Sequence, residues 1–344
     1  MAEATMAQKF SDRLEALLHT DKKIIKSLPV GEGHKYVVYS DFHAADKQYQ
    51  DRFKRNETAA VESLNYYRQN GYSVILLGDI EEFHRVDSAD ILKQYEQSLY
   101  QALRAFPPGK VHRVFGNHDI EWSMTDPIFP DQEALAMEAI KLGENIILTH
   151  GHQAEEFYEK DLHIVRVFAT LARLKENILG PENKYSFTRL PGEKDKIYAD
   201  WAIKNKKILI CGHTHNPICA CRPIFGWVDI RIQTLDAEIQ QAQSGDDKDK
   251  VKELKKRRLW FDNRKKFTER KIEVGITYTD LDPENSYYFN PGGGIYYDGI
   301  TDIEIDGNII RLVHWWNEDN QRWNKDNHRE QVWGDEDIDK IIAG

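Results

Sequence analysis

The sequence predicts a layered α/β domain, because short apolar runs alternate along the chain with segments that have helical spacing. The runs have the length and composition of buried strands, and a polar motif follows each of them. Helices predicted over 56–69, 88–105 and 132–142 lie between the strands, as a layered domain requires. Hydrophobic residues make up 40% of the chain and charged residues 30%, a composition that excludes disordered and membrane-embedded proteins.

Five predicted strands each end at a motif rich in histidine, aspartate or asparagine. In chain order, the strands are 36–39, 74–77, 111–115, 146–148 and 208–210. The motifs that follow them are Asp41-Phe42-His43, Gly78-Asp79, Gly116-Asn117-His118-Asp119, His150-Gly151-His152 and Gly212-His213-Thr214-His215. Because open α/β sheets bind ligands at the carboxyl ends of their strands, we expect these motifs to lie close together.

The motifs supply the oxygen and nitrogen ligands that two adjacent divalent cations need. A carboxylate can bridge two cations, and imidazoles with an amide oxygen complete two coordination shells. Asp79 is the predicted bridge between the cations. We assign one cation to Asp41, His43, Asp79 and His215, and the other to Asp79, Asn117, His150 and His213. These mixed ligands suit manganese first, with iron or zinc as alternatives, better than calcium.

The five motifs in this order resemble the calcineurin-like metallophosphoesterase superfamily. The resemblance covers residues 36–215, and a weaker match follows at 288–292 and in the predicted strands 301–305 and 309–316. The resemblance implies an α/β fold, a four-layer α/β/β/α sandwich with helical insertions, and two bound metals. It also implies hydrolysis of a phosphate ester, which could be a phosphomonoester, a phosphodiester or a pyrophosphate.

The resemblance also implies roles for residues beside the metals. A hydroxide that bridges the two metals would attack phosphorus directly, and the Asn117 amide would help to stabilise charge on the phosphoryl oxygens. His118, outside both predicted shells, would be the general acid that protonates the departing alkoxide. The family has a carboxylate that can orient this histidine. Glu82 stands at that position, where aspartate is usual, and Asp119 is the rival candidate.

Three further residues bear on the subfamily and the substrate. A glutamate at the position of Glu82 is similar to the diacylglucosamine pyrophosphohydrolase branch of the family, which also carries a helical cap. That branch, however, typically has arginine at the position of His118. His152 and His84 lie near the motifs in sequence. We interpret each of these two histidines either as a substrate contact or as a structural residue held by a hydrogen bond.

The predicted organisation is one metallophosphoesterase domain, 31–316, with a segment at each end. Residues 1–30 form an accessory region, and its amphipathic helix over 10–28 has the spacing of a helix that packs on a core. Residues 317–344 form a polar C-terminal extension.

Two helical insertions interrupt this domain. The first, 153–205, contains a cap helix over 154–174 that either packs against the body or lines a groove for an apolar group. Three bases in the segment after the cap helix either reach a phosphate or are solvated: Lys184, Arg189 and Lys194. The second insertion, 229–272, is predicted to be a helical hairpin that turns at 244–246.

The second insertion is basic, although the chain as a whole is acidic. Residues 246–271 contain twelve lysines and arginines against six acids, whereas the formal net charge of all 344 residues is −10. A basic face of this kind could guide nucleic acid, contact a second copy of the chain, or simply be solvated. The expected substrate is otherwise a phosphorylated small molecule.

Two other features bear on the compartment. No apolar stretch reaches transmembrane length, and residues 1–10 lack the apolar core of a signal peptide, so we expect a cytoplasmic protein. The three cysteines lie close together in the sequence and are interpreted as packed thiols rather than as metal ligands: Cys211, Cys219 and Cys221.

Two alternative functions remain open. A nuclease would use the same two metals and the basic hairpin as a guide. A non-catalytic interaction scaffold on this fold is disfavoured, because such scaffolds tend to lose ligands and all seven expected positions are filled here.

Overall fold

The computed structural model of the chain describes residues 5–19, 25–48, 50–84, 86–120, 137–154, 190–273, 281–317 and 328–343. The predicted cap helix, apart from its first residue, lies outside these ranges. Across the described ranges, no helix is both long enough and apolar enough to cross a lipid bilayer.

The strands of the described residues follow the apolar runs of the sequence. In chain order they are β1 (Ile25–Leu28), β2 (Lys35–Tyr39), β3 (Ser73–Leu77), β4 (Val111–Val114), β5 (Ala139–Leu142), β6 (Ile146–Thr149), β7 (Ile208–Cys211), β8 (Ile218–Cys219), β9 (Arg222–Pro223), β10 (Tyr288–Phe289), β11 (Gly299–Asp306), β12 (Ile309–Trp316) and β13 (Arg329–Asp337).

The helices of the described residues lie between and after these strands. They are α1 (Met6–Leu18), α2 (Glu57–Gln69), α3 (Ser88–Tyr95), α4 (Gln101–Arg104), α5 (Glu193–Asn205), α6 (Ile224–Ser244), α7 (Lys248–Glu273) and α8 (Ile338–Ala343). A π-helical turn, Glu96–Tyr100, joins α3 to α4, and short 3₁₀ turns occur at Phe53–Asn56 and His152–Ala154.

Two mixed sheets form the centre of the protein. The larger sheet has the strand order β13-β12-β11-β2-β3-β4, in which β2, β3 and β4 are parallel and β11 to β13 are antiparallel. The smaller sheet has the order β1-β5-β6-β7-β10, in which only the pairing of β5 with β6 is antiparallel.

Side chains of the larger sheet alternate between two hydrophobic cores. On β2, Tyr36 and Val38 pack into a core shared with the smaller sheet, α1 and α5, whereas Val37 and Tyr39 pack into a second core with α2, α3 and α4. This alternation follows from the two-residue period of a strand. The larger sheet is therefore covered by helices on one face and by the smaller sheet on the other. The predicted α/β fold, a four-layer α/β/β/α sandwich, is confirmed.

Two sequence predictions were wrong because a segment expected to be helical contains a strand. The N-terminal helix ends at Leu18, and part of the predicted segment 10–28 is β1, which pairs in parallel with β5. In the segment predicted as a helix over 132–142, the last four residues form strand β5 instead. Both strands are four residues long, and runs this short do not distinguish a strand from a helix by periodicity.

The second insertion folds as a helical hairpin. Helix α6 ends at Ser244, Gly245 caps it, and α7 begins at Lys248. The hairpin packs on the larger sheet through aromatic rings, since the Trp260 and Trp316 ring centroids are 5.4 Å apart. Strand β13, in the segment predicted to be a polar extension, pairs with β12 and extends that sheet.

Candidate metal centre

The predicted ligands follow the carboxyl ends of five strands that come from both sheets. Backbone hydrogen bonds connect the first two motifs, because the Asp41 N–H donates to the Gly78 carbonyl at 3.1 Å and the His43 N–H donates to the Asp79 carbonyl at 2.9 Å. Asn290, from the weaker match at 288–292, donates to the Gly212 carbonyl at 3.2 Å. The motifs therefore form one connected set of loops at this edge of the sandwich.

Left-handed backbone conformations are concentrated at this edge. Eleven described residues other than glycine have a positive φ, and five of them are predicted ligands: Asp41, His43, Asp79, His213 and His215, with φ between +48° and +67°. This conformation costs free energy for side chains other than glycine and persists where surrounding structure enforces it, most often at functional sites. The local strain supports a functional role for the loops.

Two glycines allow the motifs to approach one another. A Cβ atom on Gly116 would lie 2.1 Å from Oδ1 of Asp79, and a Cβ atom on Gly212 would lie 1.9 Å from the Ser40 hydroxyl oxygen. Any side chain at either position would therefore displace a predicted ligand or its support.

One group of ligand atoms comes from Asp41, His43 and His215. Nε2 of His215 lies 3.0 Å from Oδ1 of Asp41 and 3.1 Å from Nε2 of His43. The ligand atoms of all three residues lie within 4.8 Å of one another, close enough to hold one metal ion. These are three of the four residues assigned to the first cation.

A second group comes from Asp79, His150 and His213, whose ligand atoms also lie within 4.8 Å of one another. The His150 ring is fully buried, with Nε2 3.2 Å from Oδ2 of Asp79. Oδ1 of Asn117 is buried as well, and it accepts no hydrogen bond from the described residues. A buried amide oxygen without a donor is costly unless a cation or a water binds it, so Asn117 fits the fourth position of this group.

Asp79 lies between the two groups. Its Oδ1 accepts the backbone N–H of His118 at 2.8 Å. Its Oδ2 lies 3.2 Å from Nε2 of His150 in one group and 3.9 Å from Nε2 of His43 in the other. A single oxygen of this carboxylate thus faces both sets of ligands.

Two of the histidines have the hydrogen-bond partners that metal ligands require. Nδ1 of His150 lies 2.9 Å from the Leu77 carbonyl oxygen, and Nδ1 of His43 lies 3.1 Å from Oε2 of Glu82. Each oxygen can accept the Nδ1 proton, which leaves the Nε2 lone pair to face the centre. The partners therefore select the tautomer that binds a cation through Nε2.

The buried carboxylates make the centre attractive to positive charge. Burial opposes ionisation of Asp41, but His215 and His150 lower the pKa of this carboxyl to about 2. Burial likewise opposes protonation of His150, yet the adjacent Asp79 raises the pKa of this imidazole to about 10. The lowered pKa shows that Asp41 stays ionised beside its histidines, and the raised pKa of His150 indicates that the carboxylates attract positive charge, as a divalent cation would require.

Glu82 contacts the candidate general acid. Its Oε1 lies 2.7 Å from Nδ1 of His118, while its other oxygen contacts His43. Burial opposes ionisation of Glu82, but His118 and His43 hold the pKa of this carboxyl well below its usual range. The His118 side chain is 24% exposed, more than the side chains of His43 and His215. A partly exposed imidazole on an ionised carboxylate can hold a proton for a leaving group.

The contacts of Asp119, the rival candidate, favour Glu82 as the partner of His118. Both oxygens of this buried carboxylate accept backbone N–H groups, from Gly116 at 2.6 Å and from Ile80 at 2.9 Å. Asp119 therefore holds the second and third motifs together, whereas Glu82 contacts the His118 ring.

Five other bases were singled out from the sequence. The His84 ring centroid is 4.4 Å from that of His118, and burial followed by the charge of His118 lowers the pKa of His84 to about 4. The His152 ring is buried, with its centroid 5.4 Å from that of His150. Lys194 lies on α5 with its Nζ 2.9 Å from Nε2 of His213, whereas 184 and 189, the positions of the other two bases, lie outside the described residues.

Residues 35–226 match the model of the calcineurin-like phosphoesterase superfamily domain, and this match covers more than half of the chain. The chain belongs to the calcineurin-like phosphoesterase superfamily. Hydrolysis of phosphate esters is the activity that this family indicates, and its members generally bind divalent metals.

Other similarities of this calcineurin-like phosphoesterase are distant. It is similar to a conserved uncharacterized protein of known crystal structure from Streptococcus pneumoniae TIGR4, a predicted phosphoesterase, with 13% identity. The alignment covers 88% of this chain and 97% of that one, with a TM-score of 0.28, which is too low to support an argument. No curated protein is similar enough in sequence to count as a relative.

One buried acid of this calcineurin-like phosphoesterase lies in no motif of the sequence. Asp195, at the start of α5, accepts hydrogen bonds from the Thr214 hydroxyl at 2.6 Å, the Asn216 amide at 2.6 Å and the Tyr288 hydroxyl at 3.0 Å. The hydroxyl of Thr214 is therefore part of the support for the His213–His215 loop.

Proposed function

We propose that this protein is a dinuclear metal-dependent phosphoesterase that releases the leaving group with help from His118. One divalent cation would be held by Asp41, His43, Asp79 and His215, and the other by Asp79, Asn117, His150 and His213. Manganese suits these nitrogen and oxygen ligands, with iron or zinc as alternatives. When bound, the cations would polarise the phosphoryl oxygens and lower the pKa of a coordinated water to about 7.

The position of Asp79 is the observation that carries this proposal. Its Oδ1 accepts the His118 backbone N–H, which fixes the carboxylate, and its Oδ2 faces ligands of both groups. A carboxylate oxygen shared by two sets of histidines is the arrangement that two-metal hydrolysis needs.

The chain's own residues would perform the remaining tasks. Glu82 accepts the Nδ1 proton of His118 and orients the ring, so that Nε2 can give a proton to the departing oxygen. The Asn117 amide would bind a cation through Oδ1, which is buried without a donor among the described residues, or would donate to a phosphoryl oxygen. His84 and His152 are proposed substrate contacts, because both rings lie within 5.4 Å of His118 or His150 by ring centroid.

The test is to load the purified protein with manganese and to assay nitrophenyl monoesters, nitrophenyl diesters, nucleotides and sugar-nucleotide pyrophosphates. We expect turnover of at least one class, loss of turnover after chelation, and recovery when manganese returns. A protein that binds manganese but hydrolyses none of these esters would contradict the proposed activity. Sugar-nucleotide pyrophosphates are included because membership of the diacylglucosamine pyrophosphohydrolase branch stays a prediction.

The nuclease alternative depends on the basic hairpin, and only some of its basic residues are exposed and available to bind nucleic acid. Arg257 pairs with Glu330 at 3.1 Å, and Arg258 pairs with Asp236 at 2.7 Å, so both arginines already have acidic partners within the protein. Four lysines on the exposed side of α7 make no ion pair with a described residue and surround a shallow depression with Val251 and Leu259: Lys248, Lys252, Lys255 and Lys256.

Salt-sensitive binding of DNA or RNA that disappears when these four lysines become glutamine would support the nuclease. Binding that survives the four substitutions, or no binding at low salt, would exclude the hairpin as a guide. Comparing the oligomeric state of the wild type with that of the four-lysine variant would show whether the hairpin is a dimer contact.

A further inference from the structure

Lys194 places an ammonium group against the candidate metal centre. It is the second residue of α5, and its Nζ lies 2.9 Å from Nε2 of His213, one of the predicted ligands. The side chain is part-buried at this contact. The sequence placed Lys194 only in the segment after the cap helix, with two other bases, and did not show that it lies beside His213.

The backbone beside Lys194 is fixed to the same loop as His213. The adjacent Asp195 is fully buried and accepts hydrogen bonds from Thr214 and Asn216, both at 2.6 Å. Asp195 also accepts the Gly192 backbone N–H at 2.8 Å, which closes the first turn of α5. The start of the helix is thus held against the metal-binding loop, so a well-anchored element positions the ammonium group at the centre.

Lysine has the wrong chemistry to orient a metal-binding histidine. A histidine that binds a cation through one nitrogen carries a proton on the other, and this proton needs an acceptor. His150 has the Leu77 carbonyl and His43 has the Glu82 carboxylate in this role. An ammonium group only donates hydrogen bonds. Lys194 therefore does not repeat the role of Leu77 or Glu82. When His213 binds a cation, its Nε2 either binds that cation or carries the proton, so it no longer accepts from the ammonium group. A phosphate oxygen that enters the centre would take the place of Nε2 as the acceptor.

We propose that Lys194 binds a non-bridging oxygen of the phosphoryl group, and that the substrate carries a terminal phosphate. This inference rests on the proposed phosphoesterase function. A terminal phosphate carries a charge of about −1.5 to −2 at neutral pH, whereas a diester carries a single negative charge. An ammonium group at the centre stabilises the more highly charged group, so Lys194 selects for phosphomonoesters.

The experiment compares Lys194→Met with Lys196→Met in manganese-loaded protein. Lys196 lies on the same helix, but its side chain is 51% exposed and pairs with Asp200 at 2.8 Å, away from the predicted ligands. Isothermal titration calorimetry measures the binding of inorganic phosphate, elemental analysis measures manganese content, and kcat/KM is measured for nitrophenyl phosphate and bis-nitrophenyl phosphate.

We expect Lys194→Met to weaken phosphate binding by about 10-fold or more, the loss typical of a charge-assisted hydrogen bond, with unchanged manganese content. The monoester should lose about the same factor in kcat/KM and the diester at most about 3-fold. Lys194→Arg, which keeps the charge, should retain most of the phosphate binding. Lys196→Met should match the wild type in every measurement.

Unchanged phosphate binding in Lys194→Met would overturn the inference, and so would equal losses for the two esters. Loss of manganese in Lys194→Met would also overturn it, because Lys194 would then support the ligand His213 instead of binding substrate. These failures differ from failure of the proposed function, in which the wild-type protein itself hydrolyses no phosphate ester.

Discussion

The candidate metal centre and the helical hairpin both stand out in the sequence as clusters of charged residues, but the folded chain treats their charges in opposite ways. In the hairpin, Arg257 and Arg258 each meet an acid, and four lysines extend into solvent. In the centre, Asp41 and Asp79 are buried, and their oxygens face imidazoles rather than cationic lysine or arginine side chains.

This difference separates charges that are solvated or paired at the surface from charges that are available for chemistry. A solvated or paired surface charge costs little and contributes little. Two buried carboxylates, a buried amide oxygen and a strained backbone are expensive together, and they persist where a ligand offsets their cost. Substitutions in the centre should therefore have larger effects than substitutions in the hairpin.

Asp79→Asn should have the largest effect. It removes the charge of the one carboxylate that faces both groups, so we expect manganese content to fall and turnover to drop to background together. Asp200→Asn is the matched control, because Asp200 is 57% exposed and pairs only with Lys196 among the described residues. If Asp79→Asn keeps both metals and full turnover, the expectation that substitutions in the centre have larger effects than substitutions in the hairpin is wrong.

His118→Ala should retain both metals but lose turnover. Loss of a general acid typically costs about 10²- to 10⁴-fold, and the loss should be largest for alkyl esters, whose leaving groups need a proton. Nitrophenyl esters, with a better leaving group, should lose less. The ratio of kcat values for the two esters checks this prediction, and an equal loss for both would contradict the acid role.

Glu82→Gln should have a smaller effect than His118→Ala, since it weakens the orientation of His118 and His43 without removing either ring. Partners of this type typically contribute about 10- to 100-fold in activity or metal affinity. Turnover measured over a range of manganese concentrations separates the two contributions. If Glu82→Gln matches the wild type at every manganese concentration, the carboxylate has no positioning role.

The smallest effects are expected in the hairpin, where adjacent positions differ in environment. Arg257 is 12% exposed and pairs with Glu330, so Arg257→Ala should lower the free energy of unfolding by about 1–3 kcal/mol. Lys256→Ala, at an exposed position, should change it by less than about 0.5 kcal/mol. Chemical denaturation measures both values. Equal losses in the free energy of unfolding would show that the ion pair of Arg257 does not make it more important for stability than the exposed Lys256.

The sequence predicts the strands that carry the motifs because each one joins a buried apolar run to a polar motif. It fails at β1 and β5, which are short and depend on pairing with each other. It also fails at β13, where polar residues join the edge of a sheet.

Within the site, the motifs identify the predicted ligands because each motif is a short local pattern and the five motifs occur in a recognised order along the chain. Their supports are harder to predict. Asp195 contacts the His213–His215 loop and Lys194 contacts His213 only because α5 packs beside that loop, and neither belongs to a motif. Contacts of this kind depend on tertiary packing, which a single sequence does not show.

The most direct test of the central claim is the number of manganese ions that the wild-type protein binds, measured by elemental analysis after equilibrium dialysis. Two ions per chain, close enough to give the coupled electron paramagnetic resonance signal of a manganese pair, are predicted. One isolated ion per chain, or none, would contradict the shared role of Asp79.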